Sequence, residues 1–186
     1  MRSIMDLQYQ TMRTPWIMAL VGPVLALVSL FLPYASAKDA DQGAALSQLL
    51  GDDAAHPSMV GFARIYLAHA GNEVSSAQAY LTAGVTGAIA VIAMVALLFA
   101  SFKKAIPVAV LSALLCMAYR LQEYDFSDRG IVPSDTYSWG IGHHLLFVAV
   151  IVTMSGGVWF ALDKRRVRKE LAEAARNEET MQRRSA

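Results

Sequence analysis

The residues of this sequence best suited to binding or catalysis are a few polar side chains beside two apolar stretches. Arg120 and Glu123 lie one helical turn apart at the end of one stretch. His143 and His144 lie near the start of the next, and His69 lies in the long segment between the first two apolar stretches. Because imidazole and carboxylate are zinc ligands and histidine titrates near neutral pH, this polar cluster suits metal binding or pH sensing.

The spacing within the polar cluster argues against a metal centre. Adjacent histidines on a helix point about 100° apart, so His143 and His144 do not readily share one ion, unlike a pair four residues apart. We therefore expect interfacial anchoring and an ion pair between Arg120 and Glu123. Recognition of a lipid head group or peptide, and metal binding or catalysis, are the alternatives. The sequence predicts no metal and no cofactor.

Other enzyme classes lack their residues in this chain. Cys116 is the only cysteine, which excludes an intrachain disulfide bond and a dithiol active site. A bis-haem cytochrome needs histidines at two depths on several helices, and the apolar stretches contain only His143 and His144. No phosphate-binding glycine loop, nucleophile elbow or His-Glu-x-x-His run occurs. The sequence therefore predicts a protein that is not an enzyme.

The composition is typical of an integral membrane protein. Of the 186 residues, 55% are hydrophobic and 17% are charged, and the mean hydropathy is +0.39. A soluble domain is ordinarily less apolar. The formal net charge of +1 provides no basis for binding nucleic acid. We predict an all-α membrane protein whose partners are lipids and other membrane proteins or its own copies.

Four intervals without charged residues define the predicted membrane spans. An ionised side chain at the centre of a bilayer costs about 2.5 to 3.5 kcal/mol, and a crossing helix needs about 20 residues. The intervals contain 24, 29, 15 and 27 residues and lie between Arg13 and Lys38, Glu73 and Lys103, Lys104 and Arg120, and Asp135 and Asp163. We predict a four-transmembrane-helix bundle over residues 1–163, with spans near 16–35, 79–100, 104–121 and 140–162.

The basic residues predict the orientation of the bundle. The N-terminus with Arg2 and Arg13, the turn between spans two and three, and the tail hold 12 of the 16 lysines and arginines. Since cytoplasmic segments are enriched in these residues, both termini are expected in the cytoplasm, in a multi-pass plasma-membrane protein. The tail, 164–186, is expected to continue the last helix and to meet anionic lipid through Lys164, Arg165, Arg166, Arg168 and Lys169.

The first span has a second interpretation. Arg13, the apolar run over 16–32 and the triplet Ala35-Ser36-Ala37 are also typical of a secretory signal peptide cleaved after the triplet. The run is longer than the usual length of about 7 to 15 residues, which favours a retained span. Cleavage would leave three spans and an external N-terminus.

The segment between the first two spans contains one predicted helix. Pro57 and Ser58 are typical of a helix start, apolar residues recur at helical spacing up to Leu67, and Gly71 followed by Asn72 is typical of a stop. We predict a short amphipathic helix over 58–70 in this outer loop. It would cover the membrane or the bundle mouth, or present a surface to a partner.

Small residues at intervals of four predict where helices pack closely. The second span carries Gly84 and Gly87 in such patterns, and the fourth carries Thr153 and Gly157. Small side chains let helix backbones approach where lipid provides no hydrophobic driving force. We expect these four residues to line helix contacts within the bundle, with an oligomer face as the alternative.

Two short motifs carry a resemblance to known proteins. Phe31-Leu32-Pro33-Tyr34 closes the first span, and Trp139-Gly140-Ile141-Gly142 opens the last, before an apolar run that ends in Gly156-Gly157. With the overall layout, they are similar to small four-helix membrane proteins of bacteria to which no activity is assigned. The resemblance implies a four-helix fold and no reaction. Claudin-type tetraspans share the layout, but this chain lacks the paired cysteines of their first outer loop.

These observations leave three classes of function. We favour a non-catalytic accessory or scaffold subunit that docks on a larger membrane complex or on its own copies. A transporter or channel component is the second class, and it would need an aqueous path between copies because the middle of the bundle has no Asp, Glu, Lys, Arg or His. A sensor or enzyme that uses the polar cluster is the third.

Overall fold

The computed structural model describes residues 4–72 and 74–185, most of them in helices. Arg2 and Glu73, which entered the charge argument, lie outside the described residues. The helices are α1 Ile4–Ser29, α2 Ala40–Leu50, α3 Met59–Ala68, α4 Ser76–Ser101, α5 Ala105–Asp128 and α6 Ile141–Ser185. A 3₁₀ turn at Asp52–Ala55 and two short antiparallel strands, β1 Ala35–Ala37 and β2 Tyr137–Trp139, complete the described fold. The predicted helical class is confirmed.

Four helices pack side by side around one core. α1 packs against α6 and α4, and α5 packs against the same two helices. The buried side chains between them are mainly small or branched and apolar, among them Ala26, Ile89, Ala93, Leu115 and Ala149. Small side chains bring the helix axes close together, so the packing energy comes from many close contacts.

Three of these helices are long and apolar enough to cross a membrane, namely α4, α5 and the first part of α6. In α1 the apolar part, Arg13–Ser29, has 17 residues, which is the lower limit of about 17 to 25 for a span. Large apolar side chains are exposed on the outward faces of all four helices, for example Val24, Met94, Val110 and Ile151. Such a belt is unfavourable in water and suits lipid, so these helices place the protein in a membrane.

The helix bounds differ from the predicted spans at several ends. α1 ends at Ser29 rather than near 35, because the following residues turn into β1. α5 continues past 121 to Asp128, since charged residues end an apolar interval without ending a helix. α6 runs unbroken from Ile141 to Ser185, which confirms that the tail continues the last helix.

The end of the four helices away from the tail carries a layer that we name the cap, made of β1, α2, the 3₁₀ turn, α3 and β2. The predicted helix over 58–70 is present as α3, and the Ser58 hydroxyl accepts a hydrogen bond from the Gly61 N–H at 2.9 Å. α2 was not predicted. Its start is capped by Asp39, whose carboxylate accepts from the Asp41 N–H at 3.2 Å.

The two motifs behind the family resemblance bind each other beneath the cap. The Gly140 N–H donates to the Tyr34 carbonyl at 2.8 Å, and the Gly142 N–H donates to the Pro33 carbonyl at 2.7 Å. A Cβ atom on Gly142 would lie 2.6 Å from the Leu32 carbonyl oxygen, so only glycine permits this approach. These contacts join the end of α1 to the start of α6.

The closest helix contact is also between α1 and α6. A Cβ atom on Gly22 would lie 2.6 Å from the Thr153 backbone nitrogen, and one on Gly156 would lie 2.7 Å from the Ala19 nitrogen. Thr153 is fully buried, and its hydroxyl donates to the Ala149 carbonyl one turn earlier at 2.6 Å. This contact therefore depends on glycines of both helices.

Of the four predicted packing residues, Thr153 and Gly157 line helix contacts and Gly84 and Gly87 do not. A Cβ atom on Gly157 would lie 3.1 Å from the Ser112 hydroxyl oxygen, which places α5 against α6. Gly84 and Gly87 lie on the exposed face of α4, where an added Cβ atom would have no heavy atom within 4 Å. Their predicted role inside the bundle is wrong. α4 has small residues on two faces, and the face that is buried carries Ala79, Ala93, Ala96 and Ala100.

Candidate functional site

The predicted ion pair between Arg120 and Glu123 is present. Arg120 Nη1 donates to Glu123 Oε2 across one turn of α5. The Arg120 side chain is 68% exposed and that of Glu123 is 26% exposed. Exposed pairs of this kind contribute about 0 to 1 kcal/mol, so the pair is a minor contributor to stability.

His143 is buried in an aromatic cluster. Its ring stacks on Trp139 with centroids 4.0 Å apart and 20° between the planes. It also contacts Tyr34 edge-on at 5.4 Å and Tyr119 at 5.8 Å. Tyr34 and Tyr119 are themselves buried. The surroundings of His143 are those of a packed core side chain.

The other two histidines of the polar cluster, His69 and His144, do not complete a site around His143. His144 contacts its neighbour with ring centroids 5.3 Å apart, but it is exposed on the outward side of α6. His69 follows α3, and its Nδ1 lies 2.9 Å from the Ile65 carbonyl oxygen of that helix. In the part of the chain that the structure describes, no three His, Cys, Asp or Glu side chains are arranged to hold a metal ion. His69 thus has a hydrogen-bond partner within α3, and His144 faces outward.

Two polar residues that the sequence analysis did not select are buried at the same end of the helices. Tyr34 and Gln122 are at most 1% exposed. Among the described residues, Tyr34 Oη, Gln122 Nε2 and His143 Nδ1 have no hydrogen-bond partner. An unpaired buried group costs about 1 to 3 kcal/mol, and ordered water commonly relieves that cost. Gln122 could have been found from its spacing, because it continues the buried series Leu115, Tyr119 and Phe126 on α5.

Aromatic contacts fasten the cap to the helices. Phe62 of α3 meets Phe126 of α5 edge-on at 5.0 Å, and Phe126 meets Tyr34 at 5.6 Å. The Tyr137 hydroxyl donates to the Ala54 carbonyl at 2.6 Å. These contacts connect α3, the 3₁₀ turn and β2 to the ends of α1 and α5, so the cap and the packed helices form one structure.

A charged edge borders the cap beside these aromatic residues. The Arg129 Nε donates to Asp125 Oδ1 at 2.7 Å. Burial raises the pKa of Tyr66 to about 12, and the nearby Asp125 carboxylate acts in the same direction. Tyr66 therefore keeps its proton at neutral pH and packs against Phe62 as a neutral ring.

Basic and aromatic residues meet at the tail end of the helices. The Trp16 indole N–H donates to the Ala100 carbonyl at 2.9 Å, and Lys103 Nζ lies 5.3 Å from the centre of the Trp16 ring. Lys164 Nζ donates to the Lys103 carbonyl at 2.8 Å. The tight turn predicted between spans two and three is present at 102–104. The Lys164 hydrogen bond connects α6 to this turn.

The predicted lipid-facing residues fall into two sets on α6. Lys164, Arg165 and Arg168 border a groove between α5 and α6, and Arg166 and Lys169 are exposed elsewhere on the helix. The geometry thus provides two regions for binding, the polar cluster at the cap end and the basic groove at the tail end. Comparisons with protein-family models, with curated proteins and with solved structures found no match to this chain.

Proposed function

We propose that this protein is a non-catalytic accessory subunit of the plasma membrane that docks on a partner membrane helix through the outward face of α4. The main observation behind the proposal is that Gly84 and Gly87 form a small-residue surface that no other part of the described chain covers. A glycine that faces lipid has no side chain to make contacts there. The same glycine lets the backbone of a second helix approach closely.

The side chains around these glycines complete a surface of suitable shape. Tyr80, Val91 and Met94 are exposed on α4, where positions 80, 84, 87, 91 and 94 follow one another at intervals of three or four residues. Residues with this spacing share one helix face. Two glycines between larger apolar side chains make a shallow notch, which favours a partner helix with a ridge of its own. The partner is a helix of a larger complex or α4 of a second copy.

The surroundings of the polar cluster support a structural role. His143 is enclosed by Trp139, Tyr34 and Tyr119, and the exposed Arg120–Glu123 pair is satisfied within α5. Catalytic groups need room for a substrate beside them. We therefore assign the cluster to packing and anchoring at the cap end.

For topology we propose four spans, with α1 retained and both termini in the cytoplasm. Ile17, Val21, Val24 and Val28 are exposed on α1 at spacings of three and four, which favours contact with lipid from Ile17 to Val28. Tyr34 and the following β1 residues are buried or paired within the cap, which favours their retention. The excess of lysine and arginine at the tail end favours cytoplasmic termini.

The first prediction tests this topology by cysteine labelling. In a Cys116→Ala background, a membrane-impermeant thiol reagent added to intact cells should modify Asp52→Cys and Asp128→Cys and spare Ala175→Cys. All three positions are exposed, so access depends on the side of the membrane. After lysis, Ala175→Cys should react as fast as the others. Its labelling in sealed cells would contradict the proposed orientation.

The second prediction tests docking through α4. The double variant Gly84→Ile and Gly87→Ile should fill the notch and reduce the amount of complex at least tenfold, as measured by native size and co-purification in mild detergent. The melting temperature should not fall, because an added Cβ atom at either position has no heavy atom of the described residues within 4 Å and isoleucine is a better helix former than glycine.

Ala113→Ile is the matched control, since Ala113 is an exposed small residue on α5. This variant should keep the complex at its normal level. An unmodified protein that runs as a lone monomer, or a double variant that assembles normally, would overturn the docking proposal. A homo-oligomer that conducts ions in planar bilayers would instead favour the channel component.

A further inference from the structure

An apolar groove with a basic rim lies at the tail end, between the first turns of α5 and the middle of α6. Its cavity volume is about 460 Å³. Apolar residues of both helices form its walls, namely Ile106, Pro107, Ala109, Val158, Ala161 and Leu162. Four cationic side chains border it: Lys104, Lys164, Arg165 and Arg168. Among the described residues that line the groove, none is a carboxylate.

None of the four rim cations forms an ion pair with a described carboxylate. The ion pairs described for this chain, Arg120–Glu123 and Arg129–Asp125, lie at the cap end and involve none of the four rim residues. Burial lowers the pKa of Lys164, and the nearby charges of Arg168 and Lys104 act in the same direction. Lys164 is held in place by the Lys103 carbonyl, so the mutual repulsion persists and favours an anion between these side chains.

The start of α5 adds to this preference. Lys104 occupies the N-cap position, and no side chain caps the first turn. The free N–H groups of a helix start carry a partial positive charge that favours anions. The start of α5 and the rim cations thus both favour binding of an anion.

The walls of the groove belong to the lipid-facing surface. Val158 is 46% exposed and Leu162 is 58% exposed, and both continue the apolar belt of α6 toward its basic segment. Ile106 is exposed on the facing side of α5. The groove therefore opens sideways onto the acyl chains, with its charges at the level expected for lipid head groups.

We propose that this groove binds one anionic phospholipid, with an acyl chain along the apolar walls and the phosphate among the rim cations Lys104, Lys164, Arg165 and Arg168. A free phosphate ion would use the rim and leave the walls without a partner, whereas a phospholipid matches both. The assignment rests on the proposed membrane placement and is independent of docking through α4, which lies on a different helix.

Native mass spectrometry of the full chain in detergent tests the proposal, because it counts lipids that stay bound. Phosphatidylglycerol should bind at a stoichiometry of one, at least tenfold more tightly than phosphatidylcholine. The double variant Arg165→Gln and Arg168→Gln should reduce that affinity at least tenfold. The matched control, Arg166→Gln with Lys169→Gln, removes the same charge from the same helix outside the groove and should stay within threefold of the unmodified protein.

A further variant tests the apolar walls without changing any charge. Ala161→Phe should occupy the groove and reduce phosphatidylglycerol binding at least tenfold. Melting temperatures close to that of the unmodified protein should show that each variant is folded. Normal native size would show that α4 docking is intact, so the two proposals fail separately.

Three outcomes would overturn the lipid assignment. Equal losses in the two double variants would mean diffuse attraction to the basic tail. Equal affinity for phosphatidylcholine would mean that the rim does not recognise the head group. Displacement of the lipid by millimolar inorganic phosphate, with Ala161→Phe having no effect, would mean a phosphate ion site.

Discussion

Replacing Gly22 by valine is expected to lower the free energy of unfolding by about 3 kcal/mol, the largest effect in the helix contacts. The new Cβ atom would lie 2.6 Å from the Thr153 backbone nitrogen and 2.8 Å from its Cα atom. These are backbone atoms of a packed helix, so they cannot rotate aside as a flexible side chain would. The two helices must separate, and the contacts on both sides of Gly22 weaken with them.

The measurement is reversible unfolding in detergent micelles, with Gly84→Val as the matched control. Both glycines lie in the interior of a long helix, and Gly84→Val measures the effect of valine at a position with no neighbouring helix in contact. Only Gly22 has a neighbouring backbone in the way. Equal losses in the two variants would show that helix propensity, not close packing of α1 on α6, explains the effect.

Replacing Phe126 by alanine is expected to cost about 3 to 5 kcal/mol and to loosen the cap. Its side chain is fully buried and contacts both Phe62 and Tyr34. The cavity left behind lies where α3, α1 and α5 meet, so α3 loses its main aromatic contact with the helices. Besides the unfolding free energy, limited proteolysis should cut the cap faster.

Tyr124→Ala is the control for the loss of an aromatic ring from the same part of α5. Tyr124 is 68% exposed, and substitutions at exposed positions usually change stability by no more than about 0.5 kcal/mol. If Phe126→Ala were as mild as this control, or left the cap as resistant to protease as before, the aromatic contacts would not be what holds the cap.

The contacts of Gly22 and of Phe126 both involve residues before position 38, which bears on whether the N-terminal segment is retained. Gly22 packs on α6, and Tyr34 lies among the aromatic residues under the cap. Removal of residues 1–37 would expose the α6 face around Thr153 and leave β2 without its partner strand. These contacts favour the interpretation of the first apolar run as a permanent span.

Features that depend on near neighbours in the sequence were predictable. Charge-free intervals located the apolar helices because ionised groups are excluded from lipid whatever the tertiary contacts. The Arg120–Glu123 pair follows from a spacing of one helical turn. α3 was predictable from Ser58 and the apolar period after it, and the continuation of α6 from its helix-forming residues.

Only the tertiary structure decided which face of each apolar helix is buried. In a membrane both the core-facing and the lipid-facing sides of a helix are apolar. The hydropathy pattern therefore does not indicate which side of the helix faces the core. Gly84 and Gly22 therefore look alike in the sequence, yet one faces outward and the other meets Thr153. The burial of His143 against Tyr34 likewise depends on residues over one hundred positions apart, a pairing that no local pattern encodes.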